Sequence, residues 1–300
     1  MKKFLIRLLL IALPPCLLIM LSLFCWMNGF VDPHYLKFAS PKQSSMILGT
    51  SRSSLGLCPE VFKENGFAEM YNYSFTIVES PWGEDYFESI TRKLDTIRKN
   101  GTFILTVDMF SLSCNLDEYG NEILPHTMLN RINNVSQNPN WEYIFKMKVM
   151  SWRYFLYVLH LYEPTFELHE DGWYENKRIW DAEVEKQETQ LKLAEYAGFS
   201  KSVLSKTRFL YLEKTIELLQ KYGMVYLVRL PTSEAMYALE ETMSPNFDEK
   251  IFAIAEQYKV KYINLAGKQS YRTFDGNHII PEDAKILTQV LCDSIRQIGK

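Results

Sequence analysis

The chain has 300 residues, 47% of them hydrophobic and 14% aromatic, enough to bury one full domain with a substantial insertion. Lys and Arg number 33 against 36 Asp and Glu, a net charge of -3 with a pI near 6.0, which leaves no electrostatic case for nucleic acid as a partner.

Residues 1–30 are a different material from the rest. Lys2, Lys3 and Arg7 precede an apolar run from Leu8 to Met27, and no charge follows until Asp32. That is the length of a bilayer core. The cationic flank would stay in the cytoplasm, so everything after Asn28 is expected outside it, in a periplasmic or extracellular space. A cleaved signal peptide would end in a small-x-small site, whereas this run ends in Phe24-Cys25-Trp26-Met27. Lipoprotein processing is disfavoured by Phe24 before Cys25. The expectation is an uncleaved single-pass anchor over 1–30 and an ectodomain over 31–300, with Pro14-Pro15 as a tolerable kink. Outside the anchor, Cys58, Cys114 and Cys292 have no close spacing, which reads as neither a disulfide framework nor a zinc site.

The next punctuation is Met46-Ile47-Leu48-Gly49-Thr50-Ser51-Arg52-Ser53-Ser54. An apolar strand stops at a glycine, small hydroxyl residues follow, and a helical pattern opens near Pro59. Ser51 then falls at the carboxyl edge of a strand, beside a helix N-terminus, unless it or Ser53 or Ser54 only caps that helix. Further strands are expected at Ala68–Ser74, Phe103–Asp108, Met224–Leu230 and Val260–Leu265. Helices are expected at Tyr86–Asn100, Ser205–Tyr222, Asn246–Tyr258 and, opened by a proline, Pro281–Gln297. Alternation of this kind predicts a doubly wound parallel sheet of five strands, with loops 49–54, 74–83, 109–115, 231–236 and 266–278 on one edge.

Residues 113–201 break the alternation and are expected to form an inserted helical and aromatic subdomain beside that edge. Trp141 to Tyr162 is apolar nearly all round, which suits a buried helix or one lying in the membrane interface; Lys146, Lys148 and Arg153 argue against a second span. Trp173, Tyr174 and Trp180 stand among Glu167, Glu170, Asp171 and Glu175, a composition for a sugar-binding surface or for a loop packed on itself.

Ester chemistry needs a nucleophile, a base and an acid that orients the base. Of five histidines, only His278 has an aspartate three residues earlier. In a tight turn Asp275 can reach Nδ1 and leave Nε2 facing Ser51. Asp275-Gly276-Asn277 is also an ordinary turn sequence. With Gly49-Thr50-Ser51 and Asp275-x-x-His278 both in place, the chain resembles the SGNH/GDSL hydrolase superfamily. The match is to its membrane-anchored branch, which includes the D-alanyl-transfer protein of teichoic acid modification and the periplasmic alginate acetyltransferases. The resemblance runs from Met46 to the C-terminus except for the insertion. It implies a flavodoxin-like three-layer α/β fold, with Ser51, His278 and Asp275 as nucleophile, base and orienting acid.

The middle of the chain departs from the superfamily. Its oxyanion hole uses a glycine and an asparagine from Gly-x-Asn-Asp, whereas here the third strand ends Thr106-Val107-Asp108-Met109. Asn72 is the substitute donor, unless it is an ordinary turn or strand-end asparagine, with Gly49 beside the turn. Arg52 and Arg229 are the charged candidates for substrate; for Arg229 the alternative is a buried pair with a carboxylate such as Asp108. The functional expectation is serine-dependent acyl transfer or ester hydrolysis, with acetyl the first choice of acyl group, on a cell-envelope glycan. No metal or organic cofactor is implied, and a multi-span membrane acyltransferase is the partner implied for transfer. The alternative is a non-catalytic envelope scaffold or glycan-binding module on the same fold.

Overall fold

The computed structural model describes residues 1–26, 32, 34–147 and 165–298. A five-stranded sheet organises it: β1 (Met46–Leu48), β2 (Tyr71–Asn72), β3 (Gly101–Thr106), β4 (Gly223–Arg229) and β5 (Lys261–Asn264). The order is β2-β1-β3-β4-β5, and every neighbouring pair is parallel. Register is continuous, Ile47 lying opposite both Asn72 and Ile104, and Ile104 opposite Tyr226. This is the flavodoxin-like order, in which ligands bind outside the carboxyl ends of the strands where the order reverses, here between β1 and β3.

Both faces of the sheet are covered, which is why its three central strands β1, β3 and β4 carry unbroken apolar runs rather than alternating ones. Met46, Leu48, Phe103, Leu105, Val225 and Leu227 point to one side, where α3 (Glu84–Lys93), α5 (Lys206–Leu219) and α7 (Phe247–Tyr258) pack through Ile90, Ile216 and Ile251. Ile47, Ile104, Tyr226 and Val228 point to the other, against the short helix Pro59–Glu64 and α8 (Pro281–Ile298), with Phe62, Leu287 and Leu291. Three layers result. Two expected elements are much shorter than their patterns. The edge strand expected over Ala68–Ser74 keeps only Tyr71–Asn72, because it has one neighbour to pair with. The helix expected to Asn100 stops at Lys93: Leu94 is extended and bridges to Gln43, while Lys93 Nζ turns inward to the carbonyls of Lys37, Ser40 and Val135.

At the N-terminus α1 (Lys2–Trp26) runs through Pro14 and Pro15, and its stretch Lys2–Leu21 is long and apolar enough to cross a membrane, with its side chains exposed. Between β3 and β4, Ser113–Leu116 pairs antiparallel with Glu122–Ile123 and with Val203–Leu204. Phe166–Leu168 and Tyr174–Asn176 form a hairpin, and α4 (Ala182–Ala197) is capped by the Asp181 carboxylate on the amides of Glu183 and Val184. The apolar stretch expected as one helix is described as Trp141–Met147, in which Tyr143 packs on Tyr35 and Phe38 while Trp141 and Phe145 are exposed; 148–164 lie outside the described residues. Cys58, Cys114 and Cys292 are free and buried.

Candidate active site

Gly49 makes the turn after β1. Its φ of +151° is closed to L side chains, and a Cβ there would stand 1.8 Å from Thr106 Oγ1 on β3. The chain then enters α2 (Ser51–Gly56) with Thr50 as the preceding residue and Ser51 at its first turn. Of the three nearby serines only Ser51 is partly exposed. Ser53 Oγ is buried between Thr50 O, Ser74 Oγ and Thr106 Oγ1, and Ser54 Oγ accepts from the buried Lys37 Nζ at 3.1 Å. The capping alternative for Ser53 and Ser54 is thereby replaced by packing roles.

Ser51 Oγ lies 2.8 Å from His278 Nε2, and His278 Nδ1 lies 2.8 Å from Asp275 Oδ2. The loop that carries the latter two is folded on itself: Asp275 Oδ1 accepts from the amides of Asn277 and His278, and Phe274 N donates to His278 O at 2.8 Å. Gly276, at φ +76°, lets this turn pass beneath α4, where a Cβ would meet Thr189 Cγ2 at 2.7 Å. Burial by itself raises the Asp275 carboxyl, but the His278 ring and the two backbone amides outweigh it and hold it at about 2. An ionised carboxylate can only accept, so Nδ1 carries the proton and Nε2 is left to accept from the Ser51 hydroxyl.

The other expected residues are placed differently. Asn72 is fully buried and spends both amide hydrogens on the carbonyls of Ser53 and Leu57, at 2.8 and 3.0 Å, so it is a brace under α2 with nothing left for an oxyanion. The Gly49 amide donates to Tyr86 Oη at 3.0 Å and is likewise committed. Arg52 is buried: Nε donates to Asn277 Oδ1 at 2.7 Å and Nη2 pairs with Glu240 at 2.5 Å. Arg229 is 1% exposed and bound to Glu240, Glu241 and Asp248 at 3.0, 2.9 and 2.9 Å. Neither arginine is available to substrate. Arg229 is a structural pair as its alternative reading had it, but its partners come from α6 (Glu234–Met243) and α7 rather than Asp108. Asp108 lies instead near Arg52; burial raises its carboxyl against the pull of that guanidinium.

Backbone donors remain at Ser51. Among the described residues the amides of Ser51 and Arg52, the first two of α2, have no acceptor, as expected of a helix start. Three residues that the sequence reading did not single out shape the site. Asn277 sits inside the Asp-x-x-His spacing and ties it to Arg52. Glu240 holds Arg52. Tyr196, from the insertion, receives Asn277 Nδ2 at 3.3 Å. Only Asn277 had a local signal, its place in the motif; the other two arrive from α6 and α4.

Trp173 and Trp180 of the insertion are packed rather than presented. Trp173 is buried, donates to Leu55 O at 3.0 Å and stacks on His169, and Trp180 donates to Glu185 and to Thr273 O. Glu167, His169 and Glu175 cluster within 4.8 Å on the hairpin, but Lys177 pairs with Glu167 and His169 Nε2 lies 2.9 Å from Glu175 Oε2, so these groups are already engaged with neighbours.

No family model matches this chain, and no curated protein matches it. Similar solved structures include the M. smegmatis aryl esterase, in inhibitor-bound and native forms, at 10% and 11% identity. Each covers 84% of this chain and 99% of its own, with TM-score 0.40. Another is Est24, a carbohydrate acetylesterase from Sinorhizobium meliloti, at 9% identity, 85% and 99% coverage and TM-score 0.40. At this distance the activities belong to those proteins, and the fold of this chain rests on its own sheet order and register.

Proposed function

We propose that the chain is a membrane-anchored enzyme of the SGNH type that moves an acyl group on or off a cell-envelope glycan through Ser51. The observation that supports this is the continuous Ser51–His278–Asp275 line at the carboxyl edge of the sheet, with Ser51 partly exposed. Ser51 Oγ attacks the ester carbonyl carbon as its proton passes to His278 Nε2, and Asp275 steadies the resulting imidazolium. The ester C–O bond breaks and Nε2 returns the proton to the departing oxygen. Water or a sugar hydroxyl then attacks the acyl-enzyme, giving its proton to Nε2, and Ser51 leaves with that proton restored. The amides of Ser51 and Arg52 are the donors nearest the developing oxyanion. An uncleaved α1 would hold the ectodomain outside the cytoplasm, next to a multi-span acyltransferase that supplies the acyl donor.

The commitment of Asn72 and of the Gly49 amide favours one second reading, a scaffold or glycan-binding module that keeps the triad geometry without turnover. A fluorophosphonate separates the two. Labelling at Ser51 that is lost in His278→Ala, with both proteins folded, supports the enzyme. Labelling that survives His278→Ala, or unchanged envelope acylation in a Ser51→Ala strain, makes the scaffold the better account.

A further inference from the structure

Beside the triad lies a cavity of about 360 Å³ walled by Ile77, Val78, Phe110, Ile123, Tyr196 and Phe199. It belongs to the same edge as Ser51, because its first walls are the loops that follow β2 and β3 and its last are the C-terminal end of α4 and the residues after it. Phe110 and Tyr196 form the partition. Their rings meet edge to face at 4.4 Å, and the Arg52 guanidinium, on the residue after the nucleophile, sits 5.8 Å from the Phe110 ring. The Tyr196 hydroxyl receives Asn277 Nδ2 at 3.3 Å, and that same nitrogen is 3.4 Å from His278 Nε2. One tyrosine therefore reaches the triad with its hydroxyl and lines the cavity with its ring.

Most polar groups in the walls are occupied within the protein, Glu195 pairing with Lys192 at 2.9 Å; the exception is Arg208 Nε, which is buried and has no partner among the described residues. Ser202 Oγ donates to Asn115 Oδ1 at 2.8 Å, Ser113 Oγ to Met109 O at 2.6 Å, and Arg208 Nη1 to Trp82 O at 3.3 Å. What faces the space is mostly apolar, and Val78, Ile123 and Phe199 keep 73%, 49% and 41% of their surface exposed around it. Exposed apolar side chains gathered round a hollow mark a binding surface. At about 30 Å³ for a group the size of water or a methyl, the volume holds on the order of ten heavy atoms, far more than an acetyl group.

We infer that this cavity binds the acyl part of the substrate and that the acyl group is an apolar chain of medium length rather than acetyl. The inference rests on the enzyme reading above. The full-length protein is assayed on p-nitrophenyl esters from acetate to decanoate. Octanoate binding is measured by titration calorimetry as a readout independent of turnover. Ile123→Trp, on the short strand Glu122–Ile123, and Val78→Trp, on the loop after β2, each fill the cavity from an exposed position, so that one folded variant suffices. kcat/KM is expected to rise about tenfold or more from acetyl to octanoyl as methylenes are buried. In the variants the octanoyl-to-acetyl ratio falls by a similar factor and octanoate affinity drops with it. A preference for acetyl that neither folded variant alters overturns the inference and leaves the enzyme reading standing. Octanoate binding that the variants abolish, without turnover of any ester or labelling of Ser51, keeps the cavity as an acyl-chain site and sinks the enzyme reading. No octanoate binding and no turnover overturns both.

Discussion

At the scale of single residues the site depends on protons held in fixed places. Asp275 is pulled from an ordinary 3.8 to about 2, so the folded protein keeps it ionised at every pH at which an esterase is assayed. A depressed carboxylate contributes stability above its unfolded pKa and loses that contribution as pH falls through the folded one. The window is therefore pH 4 down to pH 2, and the contribution is at most about 2 kcal/mol. Asp275→Asn should unfold more readily than wild type at pH 7, with the gap narrowing from pH 4 to pH 2 in urea titrations. It should also lower any Ser51-dependent turnover on the order of 10³-fold or more, because the imidazole loses its favoured tautomer. A gap independent of pH would mean that the carboxylate does not stabilise the fold through its charge.

At the scale of elements, charge holds the loop of His278 in place. Glu240 on α6 is 2% exposed and stands between two buried arginines, Arg52 on α2 and Arg229 at the end of β4. Arg52 passes the constraint on to Asn277, one residue from the imidazole. Removing the shared carboxylate leaves two buried guanidinium groups competing for what remains. Glu240→Ala should cost about 3–5 kcal/mol in urea unfolding, more than the loss of an exposed ion pair such as Arg92–Glu88. A loss below 1 kcal/mol would show that Asp108, Glu241 and Asp248 suffice. The pairing of Arg229 was legible only as a need. An arginine at the end of an apolar strand must be neutralised, but its partners lie 11 to 19 residues on, upon helices whose rotation the sequence leaves open.

At the scale of the molecule, the sheet and the N-terminal helix divide the labour. The parallel sheet delivers Ser51 and His278, 227 residues apart, to one edge because every strand points the same way. Lys2–Leu21, at 1.5 Å per residue, is about 30 Å long and matches a bilayer core. The intact mass of the protein recovered from the membrane fraction is expected to include α1. A mature N-terminus near residue 30 would show that the segment is a cleaved signal and would remove the anchored geometry from the proposal.

The five strands, the long helices and the Asp275–His278 spacing were decided by local chemistry. A strand buried on both faces must be apolar throughout, a helix must show its period, and an aspartate three residues before a histidine reaches its ring within one turn. The fates of Asn72, Gly49, Arg52 and Arg229 were decided only in three dimensions. Each has the right chemistry for a substrate contact, and each is consumed by a neighbour: the carbonyls of Ser53 and Leu57, the Tyr86 hydroxyl, Asn277 with Glu240, and the carboxylates of α6 and α7. Tyr196 and the cavity it lines were invisible for the complementary reason. A tyrosine in a polar helix carries no mark of the loop it will meet, and a hollow is made by what several distant segments leave unfilled.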